Sequence, residues 1–201
     1  MGKAYANRKP VEERPEADFY STPYSLTREL LKVRNFPKVI YEPAAGNGAI
    51  THVLEQYGHI VVEDDIRTTG ADFLDFQDHV PCIITNPPFS LFRIFLPWIM
   101  EAEKQFVIIG NLNAITYKEV FPLIKNNEIW LGNGFHAGNA YFFTPFTDAY
   151  GEGVFMPDTG LVKFRNVCWF TNLDHGRRHQ PLPLMTMADN LKFSKHKEIR
   201  G

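Results

Sequence analysis

The chain has 201 residues, of which 44% are hydrophobic and 22% charged, which suits one globular domain with a full apolar core and leaves little for a second. Its formal net charge of −2 excludes a uniformly positive nucleic-acid-binding surface, although a local basic patch remains compatible with that role. The longest apolar stretch, residues 91–100, contains Arg93 and Pro97 and is too short to span a bilayer.

The two cysteines and the N-terminal residues indicate the cellular compartment of the protein. Cys82 and Cys168 lie within apolar runs and form no CxxC pair, so we interpret them as buried thiols. Residues 1–15 are polar and charged and contain no apolar stretch of the kind found in secretion signals. We therefore expect a cytoplasmic protein. We expect no metal site, because the histidines show no metal-ligand spacing with cysteine or with each other.

The first half of the chain alternates short apolar runs with helical patterns. A polar arm, residues 1–18, is expected to be mobile. Helices are predicted over residues 25–33, 50–56 and 92–102, and strands over residues 38–42, 60–62, 82–85 and 106–109. Short β-branched strands that alternate with helices indicate an α/β fold with a mostly parallel sheet.

After residue 117 the pattern changes to aromatic runs punctuated by glycine. A short helix is predicted over residues 120–125, and strands over residues 129–131, 141–143 and 167–170. Late strands that are joined by loops suggest an antiparallel addition at the edge of the sheet. From His175 onward the tail is polar and basic and offers little material for a core.

The first predicted strand ends in an acid, Glu42, followed by a turn with two glycines. Gly46 and Gly48 allow the backbone to approach a ligand closely, and Ala44 belongs to the same turn. The third glycine of a dinucleotide fingerprint and the lysine of a phosphate-binding loop are both missing. The pattern therefore favours a cationic ligand near Glu42 over a pyrophosphate. A plain strand-to-helix turn is the alternative.

Acidic residues follow the second predicted strand, among them Glu63 and Asp64. A carboxylate in this position can accept both ribose hydroxyl hydrogens of a nucleoside, and a solvated acidic turn is the alternative. Further along the chain, Asp72 can accept from an adenine amino group while Phe73 packs on the ring. An Asp-Phe pair also occurs easily by chance.

The sequence Asn86-Pro87-Pro88-Phe89 follows the third predicted strand. The two prolines fix φ and remove two backbone donors, so the loop mainly presents acceptors. The Asn86 amide oxygen and the Pro87 carbonyl can together accept both hydrogens of one amino group, while Phe89 stacks on the flat ring that carries it. This pattern predicts a catalytic loop that acts on an amino nitrogen. A rigid surface turn is the alternative.

Together with the glycine turn, the Asn-Pro-Pro-Phe loop resembles that of the Rossmann-like amino-methyltransferases that use S-adenosylmethionine. More closely, the chain resembles the EcoRI-type adenine-specific DNA methyltransferase family over roughly residues 19–180. The loop marks the wider class, and the later stretches make the family match specific. The matching stretches are residues 19–23, 42–48, 85–90, 113–119, 122–127 and 168–173.

This resemblance implies a class I methyltransferase fold with a seven-stranded sheet, and S-adenosylmethionine as the cofactor. It implies that Tyr20, Ser21, Thr22 and Pro23 help to hold the methionine end of the cofactor. It also implies that the loop at Asn86 is catalytic and that Asn86 is one of the cofactor-binding residues.

We accordingly divide the chain into a mobile arm (residues 1–18), a catalytic domain (residues 19–180) and a basic tail or remnant of a target-recognition region (residues 181–201). Arg177 and Arg178 belong to a basic cluster that is suited to contact DNA phosphates, with a solvated polar tail as the alternative.

The expected function is methylation of adenine N6 in DNA, with the target base flipped out of the duplex. The loop suits any planar amide or amidine nitrogen, so an RNA base or a protein glutamine is the alternative substrate. A non-catalytic nucleic-acid-binding relative that retains the fold is the other alternative. The intact Glu42, Gly46, Gly48 and Asn86 argue against it.

Overall fold

The computed structural model describes residues 18–65, 80–132, 139–151, 153–179 and 185–193. Residues 1–17 of the predicted arm lie outside these ranges. The helices are α1 (Tyr24–Val33), α2 (Ala49–Gln56), α3 (Phe92–Glu101), α4 (Phe121–Lys125) and α5 (Met187–Phe193). The strands are β1 (Val39–Glu42), β2 (Ile60–Glu63), β3 (Cys82–Thr85), β4 (Gln105–Asn111), β5 (Trp130–Leu131), β6 (Ala140–Phe143), β7 (Phe155–Met156), β8 (Leu161–Phe164) and β9 (Val167–Thr171).

A six-stranded sheet with the order β2-β1-β3-β4-β9-β5 forms the centre of the fold. The strands β2, β1, β3 and β4 run parallel, and β9 pairs antiparallel with both β4 and β5. This confirms the mostly parallel α/β sheet with an antiparallel edge. Within the described ranges the sheet has six strands, where the resemblance implied seven. The chain between β2 and β3, residues 66–79, lies outside those ranges.

Buried side chains cover both faces of the sheet, because side chains alternate between the faces along each strand. On one face, Ile83 and Ile108 join a buried cluster with Phe95 of α3. On the other face, Ile84 joins a second buried cluster with Leu54 of α2. Burial of one such side chain contributes about 1.5–3 kcal/mol relative to leaving it exposed. The two clusters therefore hold the helices on opposite sides of the strands.

A close approach links β4 to the start of α3. A Cβ atom on Gly110 would lie 2.8 Å from Phe92 Cζ and 2.9 Å from Phe170 Cε2, closer than side chains normally approach. The missing side chain of Gly110 therefore makes room for Phe92, the first residue of α3. Because the predicted catalytic loop runs directly into α3, this contact also helps to place the loop.

A second, antiparallel sheet has the order β6-β8-β7. The sequence analysis predicts β6 but neither β7, which has two residues, nor β8, which carries Lys163 within a short apolar run. Phe142 of β6 and Val162 of β8 are buried. Ser21 forms an isolated bridge with Phe143, so the segment before α1 joins the end of this sheet.

The ends of the catalytic domain differ in two details from the predicted division. Asp18, which the division places in the mobile arm, accepts hydrogen bonds from the backbone of Phe89 and Ser90. The tail contains the exposed helix α5, which the sequence analysis does not predict. Its start is stabilised by reciprocal hydrogen bonds between Thr186 and Asp189, which form a capping box.

The two cysteines are buried and free, as predicted. Burial raises the pKa of Cys82 and of Cys168 to about 12. Across the described ranges, none of the helices combines the length and the apolar character that a bilayer span requires.

Candidate active site

The turn after β1 and the loop after β3 meet at one edge of the central sheet. Strand order reverses between these two strands, because β2 lies on one side of β1 while β3 and β4 lie on the other. In open α/β sheets such a reversal leaves a crevice at the carboxyl ends of the strands, and ligands bind there. The candidate site is this crevice, and the predicted residues after β1, β2 and β3 surround it.

The turn after β1 requires glycine at two positions. Gly46 has φ +60° and Gly48 has φ +71°, and side-chain-bearing residues rarely adopt such angles. A Cβ atom on Gly46 would lie 2.7 Å from Phe19 Cε2, so the close approach at this position is made by the Phe19 ring. Ala44, in the same turn, is half-buried.

Glu42 lies beneath the turn and is 1% exposed. Its Oε2 accepts hydrogen bonds from the backbone N of Thr51 at 2.8 Å and from Thr51 Oγ1 at 2.5 Å. Thr51 lies in the first turn of α2, whose N-cap residue, Gly48, has no side chain to cap it. Burial raises the pKa of Glu42 to about 8, with the Thr51 hydrogen bonds acting in the opposite direction. The buried Glu42 therefore connects the end of β1 to the first turn of α2 through Thr51. A cationic ligand near Glu42 stays a prediction.

Three consecutive acids at the end of β2 differ in their partners. Asp64 Oδ2 accepts from the hydroxyl of Tyr41 at 3.0 Å, and Asp65 Oδ2 accepts from a backbone amide of the glycine turn at 2.9 Å. The side chain of Glu63 has no hydrogen-bond partner among the described residues, and its Oε2 would lie 3.9 Å from a Cβ atom on Gly48. Of the three carboxylates, that of Glu63 faces the turn and is available to a ligand.

The side-chain amide of Asn86 is held in one orientation. Its Nδ2 donates to the carbonyl oxygen of Tyr20 at 2.9 Å and to Oγ1 of Thr22 at 3.1 Å. Because a backbone carbonyl can only accept, the amide nitrogen must face Tyr20, which directs Oδ1 elsewhere. Among the described residues, no hydrogen-bond partner reaches this buried Oδ1. An unpaired buried acceptor costs about 1–3 kcal/mol. The catalytic role of Asn86 stays a prediction.

The segment before α1 lies across the crevice. The side chains of Ser21 and Asn47 are hydrogen-bonded to each other, which ties the segment to the glycine turn. Thr22 is 4% exposed and contacts the loop after β3. Pro23 precedes α1, and its carbonyl accepts from the backbone N of Leu26 at 3.0 Å. The structure thus brings this segment to the site, while its role at the methionine end of the cofactor stays a prediction.

Phe89 packs within an aromatic cluster of the protein. Its ring stacks on that of Tyr20, with centroids 5.4 Å apart and an interplanar angle of 23°, and it meets Phe164 in an edge-to-face contact. The hydroxyls of Tyr20 and Tyr150 are 2.5 Å apart, and burial raises the pKa of Tyr20 well above its ordinary value. The sequence analysis expects Phe89 to stack on the substrate ring. In this structure Tyr20 occupies a stacking position on Phe89, so substrate stacking needs the remaining surface of the ring.

Four of the predicted site residues are not placed by the structure. Asp72 and Phe73 lie outside the described residues. Arg177 and Arg178 belong to the short 3₁₀ helix Gly176–His179, of which the structure describes the backbone but not these two side chains. Their roles stay predictions. In the part of the chain that is described, no three His, Cys, Asp or Glu side chains gather in a group suited to a metal ion.

The sequence analysis misses four residues that shape the site. Thr51 carries a detectable signal, because it lies in the first turn of a helix that begins after a glycine and lacks a side-chain cap. The other three residues carry no local sequence signal, because tertiary packing alone brings them to the crevice. They are Asp18, Tyr150 and Phe164, the last of which lies in the unpredicted strand β8.

With this geometry in place, comparison with known proteins identifies the family. Residues 33–200 match the family described as adenine-specific methyltransferase EcoRI. The chain belongs to this family. The matched range contains the glycine turn, the acids after β2 and the loop at Asn86. It begins after the segment before α1, which the resemblance to the EcoRI-type family also included.

The curated relatives that the chain matches are longer than this chain. Type II methyltransferase M.EcoRI of Escherichia coli is 39% identical over 153 residues, which cover 70% of this chain and 47% of that protein. Type II methyltransferase M.MpnI of Mycoplasma pneumoniae is 32% identical over 110 residues, which cover 53% of this chain and 34% of that protein. The chain thus spans about half the length, or less, of the curated relatives it matches.

Proposed function

We propose that this chain carries the methyl-transfer site of a DNA adenine-N6 methyltransferase that uses S-adenosylmethionine. The observation that carries the proposal is the buried Oδ1 of Asn86, for which the described residues supply no hydrogen-bond partner. An acceptor that the fold leaves without a partner suits a substrate that brings a hydrogen-bond donor. An exocyclic amino group is such a donor.

The residues around the crevice fit the proposed cofactor. The carboxylate of Glu63, which has no hydrogen-bond partner among the described residues, suits the two ribose hydroxyls, because one carboxylate can accept from both. Gly48 leaves the space opposite Glu63 without a side chain. Asp64 and Glu42 contribute by holding the surrounding backbone. Further proposed contacts come from Asp72 and Phe73 at the adenine ring and from the segment Tyr20, Ser21, Thr22 and Pro23 at the methionine end.

When bound, S-adenosylmethionine supplies an electrophilic methyl group. Asn86 Oδ1 accepts one hydrogen of the substrate amino group, and the Pro87 carbonyl accepts the other. These two bonds direct the nitrogen lone pair toward the methyl group and stabilise the positive charge that develops on the nitrogen. Bound S-adenosylmethionine would supply the methyl carbon and would leave as S-adenosylhomocysteine with the electron pair of the broken carbon–sulfur bond, and the substrate nitrogen would release one proton to solvent.

Adenine in DNA is the substrate that the family relationship favours. The relatives named above are type II methyltransferases, and the family description specifies adenine. On this proposal the target base leaves the duplex to reach the crevice, Phe89 packs on it, and Arg177 and Arg178 contact the flanking phosphates. The protein is proposed to act in the cytoplasm, as part of restriction-modification or in protection of a genome.

A methyl-transfer assay with separated substrate classes tests this proposal. The chain is incubated with labelled S-adenosylmethionine and with mixed-sequence duplex DNA, RNA or protein, and the products are digested and analysed as nucleosides or amino acids. We expect label in N6-methyladenine from DNA. Duplex DNA of guanine and cytosine alone is the matched control and should take up none. Label in RNA or glutamine, with DNA unlabelled, would contradict the DNA assignment and retain the amino-transfer chemistry.

A further inference from the structure

The loop after β3 has few backbone donors, and a distant residue binds those that remain. Pro87 and Pro88 have no amide hydrogen. The next two amides, those of Phe89 and Ser90, donate to Asp18 Oδ1 at 3.2 Å and to Asp18 Oδ2 at 2.9 Å. The 3₁₀ helix Phe89–Leu91 has no side-chain cap from its own N-cap residue, Pro88. The Asp18 carboxylate, 71 and 72 residues away in sequence, supplies that cap.

The same segment of chain also holds the other end of the loop. The carbonyl of Tyr20 and the hydroxyl of Thr22 accept from Asn86 Nδ2. Asp18 and Thr22 thus contact the loop on both sides of its two prolines. Because the two prolines stiffen the intervening chain, a displacement of Phe89 that follows a shift of Asp18 is transmitted to Asn86.

We propose that Asp18 is a positioning residue for the methyl-transfer loop. Its carboxylate fixes the start of the 3₁₀ helix and thereby the position of the loop that carries Asn86. This inference rests on the proposed function of the loop. Charge-assisted hydrogen bonds to backbone amides are short and directional, which suits a group that must hold a reactive geometry. Asp18 does not itself touch the reacting atoms.

The test compares Asp18→Ala and Asp18→Asn in the whole chain, with Glu29→Ala as the matched control. Glu29 lies on the exposed face of α1 and pairs with Lys32, so its loss removes the same charge away from the crevice. Four quantities are measured for each variant: kcat, KM for DNA, the Kd for S-adenosylhomocysteine, and amide hydrogen exchange at Phe89 and Ser90.

For Asp18→Ala we expect kcat to fall by about 10- to 100-fold, because a displacement of about 1 Å in a reacting group costs rates of this order. The Kd for S-adenosylhomocysteine should stay within about twofold, and exchange at Phe89 and Ser90 should rise at least about tenfold. Asp18→Asn keeps one acceptor oxygen and should give intermediate values. The control variant should match the wild type in all four quantities.

The combination of readouts separates positioning from a purely structural role. Faster exchange with unchanged kcat would overturn the proposal, because the cap would then stabilise the loop without affecting transfer. Lower kcat with unchanged exchange would also overturn it, because the effect would not pass through the loop. Absence of methyl transfer by the wild type would instead refute the proposed function itself, and the positioning role with it.

Discussion

Among the described carboxyl groups, Glu42 has the surroundings that differ most from those of an exposed acid. Its pKa of about 8 lies above the usual 4.5, so the folded protein favours its neutral form. The stability that this group contributes is complete below about pH 4.5 and is lost as the pH rises through 8. Glu42→Gln mimics the neutral form and keeps an acceptor for Thr51, so it should remove this pH dependence.

We therefore expect Glu42→Gln to gain stability relative to the wild type between pH 5 and pH 8, by more than about 1 kcal/mol. Urea unfolding at both pH values measures the change. Glu55→Gln, on the exposed side of α2, is the control and should show the same difference from the wild type at both pH values. An equal difference for Glu42→Gln at the two values would show that the buried carboxyl does not titrate in this range.

The sequence indicates which residues carry chemistry better than it indicates their partners. That Asn86 presents an acceptor follows from the residue type and from the prolines beside it. That its amide nitrogen is engaged by Tyr20 and Thr22 depends on contacts 66 and 64 residues apart, which no local pattern encodes. For the same reason the sequence does not distinguish Glu63 from its neighbour Asp64, whereas the hydrogen bonds of the folded chain do.

At the scale of elements, the contact between β4 and α3 is the most sensitive to added volume. Gly110→Ala places a methyl group against Phe92 and Phe170, and overpacking of this kind costs about 1–3 kcal/mol. We expect this loss of unfolding free energy in urea titrations. Gly151→Ala is the control and should change stability by less than about 0.5 kcal/mol, because no atom of the described residues lies within 4 Å of its added Cβ. Equal stability of the two variants would show that Phe92 relaxes freely.

The central strands are predictable because their apolar sequence pattern agrees with their burial in the fold. The strands β1, β3 and β4 are continuous apolar runs, as expected for strands that are buried on both faces. The small sheet behaves differently: β7 is too short to show a period, and β8 obtains its burial from the aromatic cluster around Tyr20. Helix α5 depends on its capping box rather than on an apolar stripe, and its exposed surface gives no core pattern.

At the scale of the whole molecule, the sequence motifs and the strand order both locate the candidate site at the crevice between β1 and β3. The glycine turn after β1, the acids after β2 and the Asn-Pro-Pro-Phe loop after β3 are separated in sequence, and the order of the parallel strands brings them to one crevice. The parallel sheet was predictable from the alternation of strands and helices. The way in which the segment before α1 crosses the crevice was not, because its contacts join it to three different parts of the chain.

The most direct test of methyl transfer at this crevice is a single-turnover measurement with Asn86→Ala, saturating S-adenosylmethionine and adenine-containing duplex DNA. The rate should fall by about 10²–10³-fold, as for the loss of one preorganised electrostatic partner, while the Kd for the cofactor stays close to that of the wild type. Asn86→Asp keeps an acceptor and loses the two donated hydrogen bonds, so it should retain partial activity. Near-normal turnover of Asn86→Ala would contradict the assignment of this loop as the site of methyl transfer.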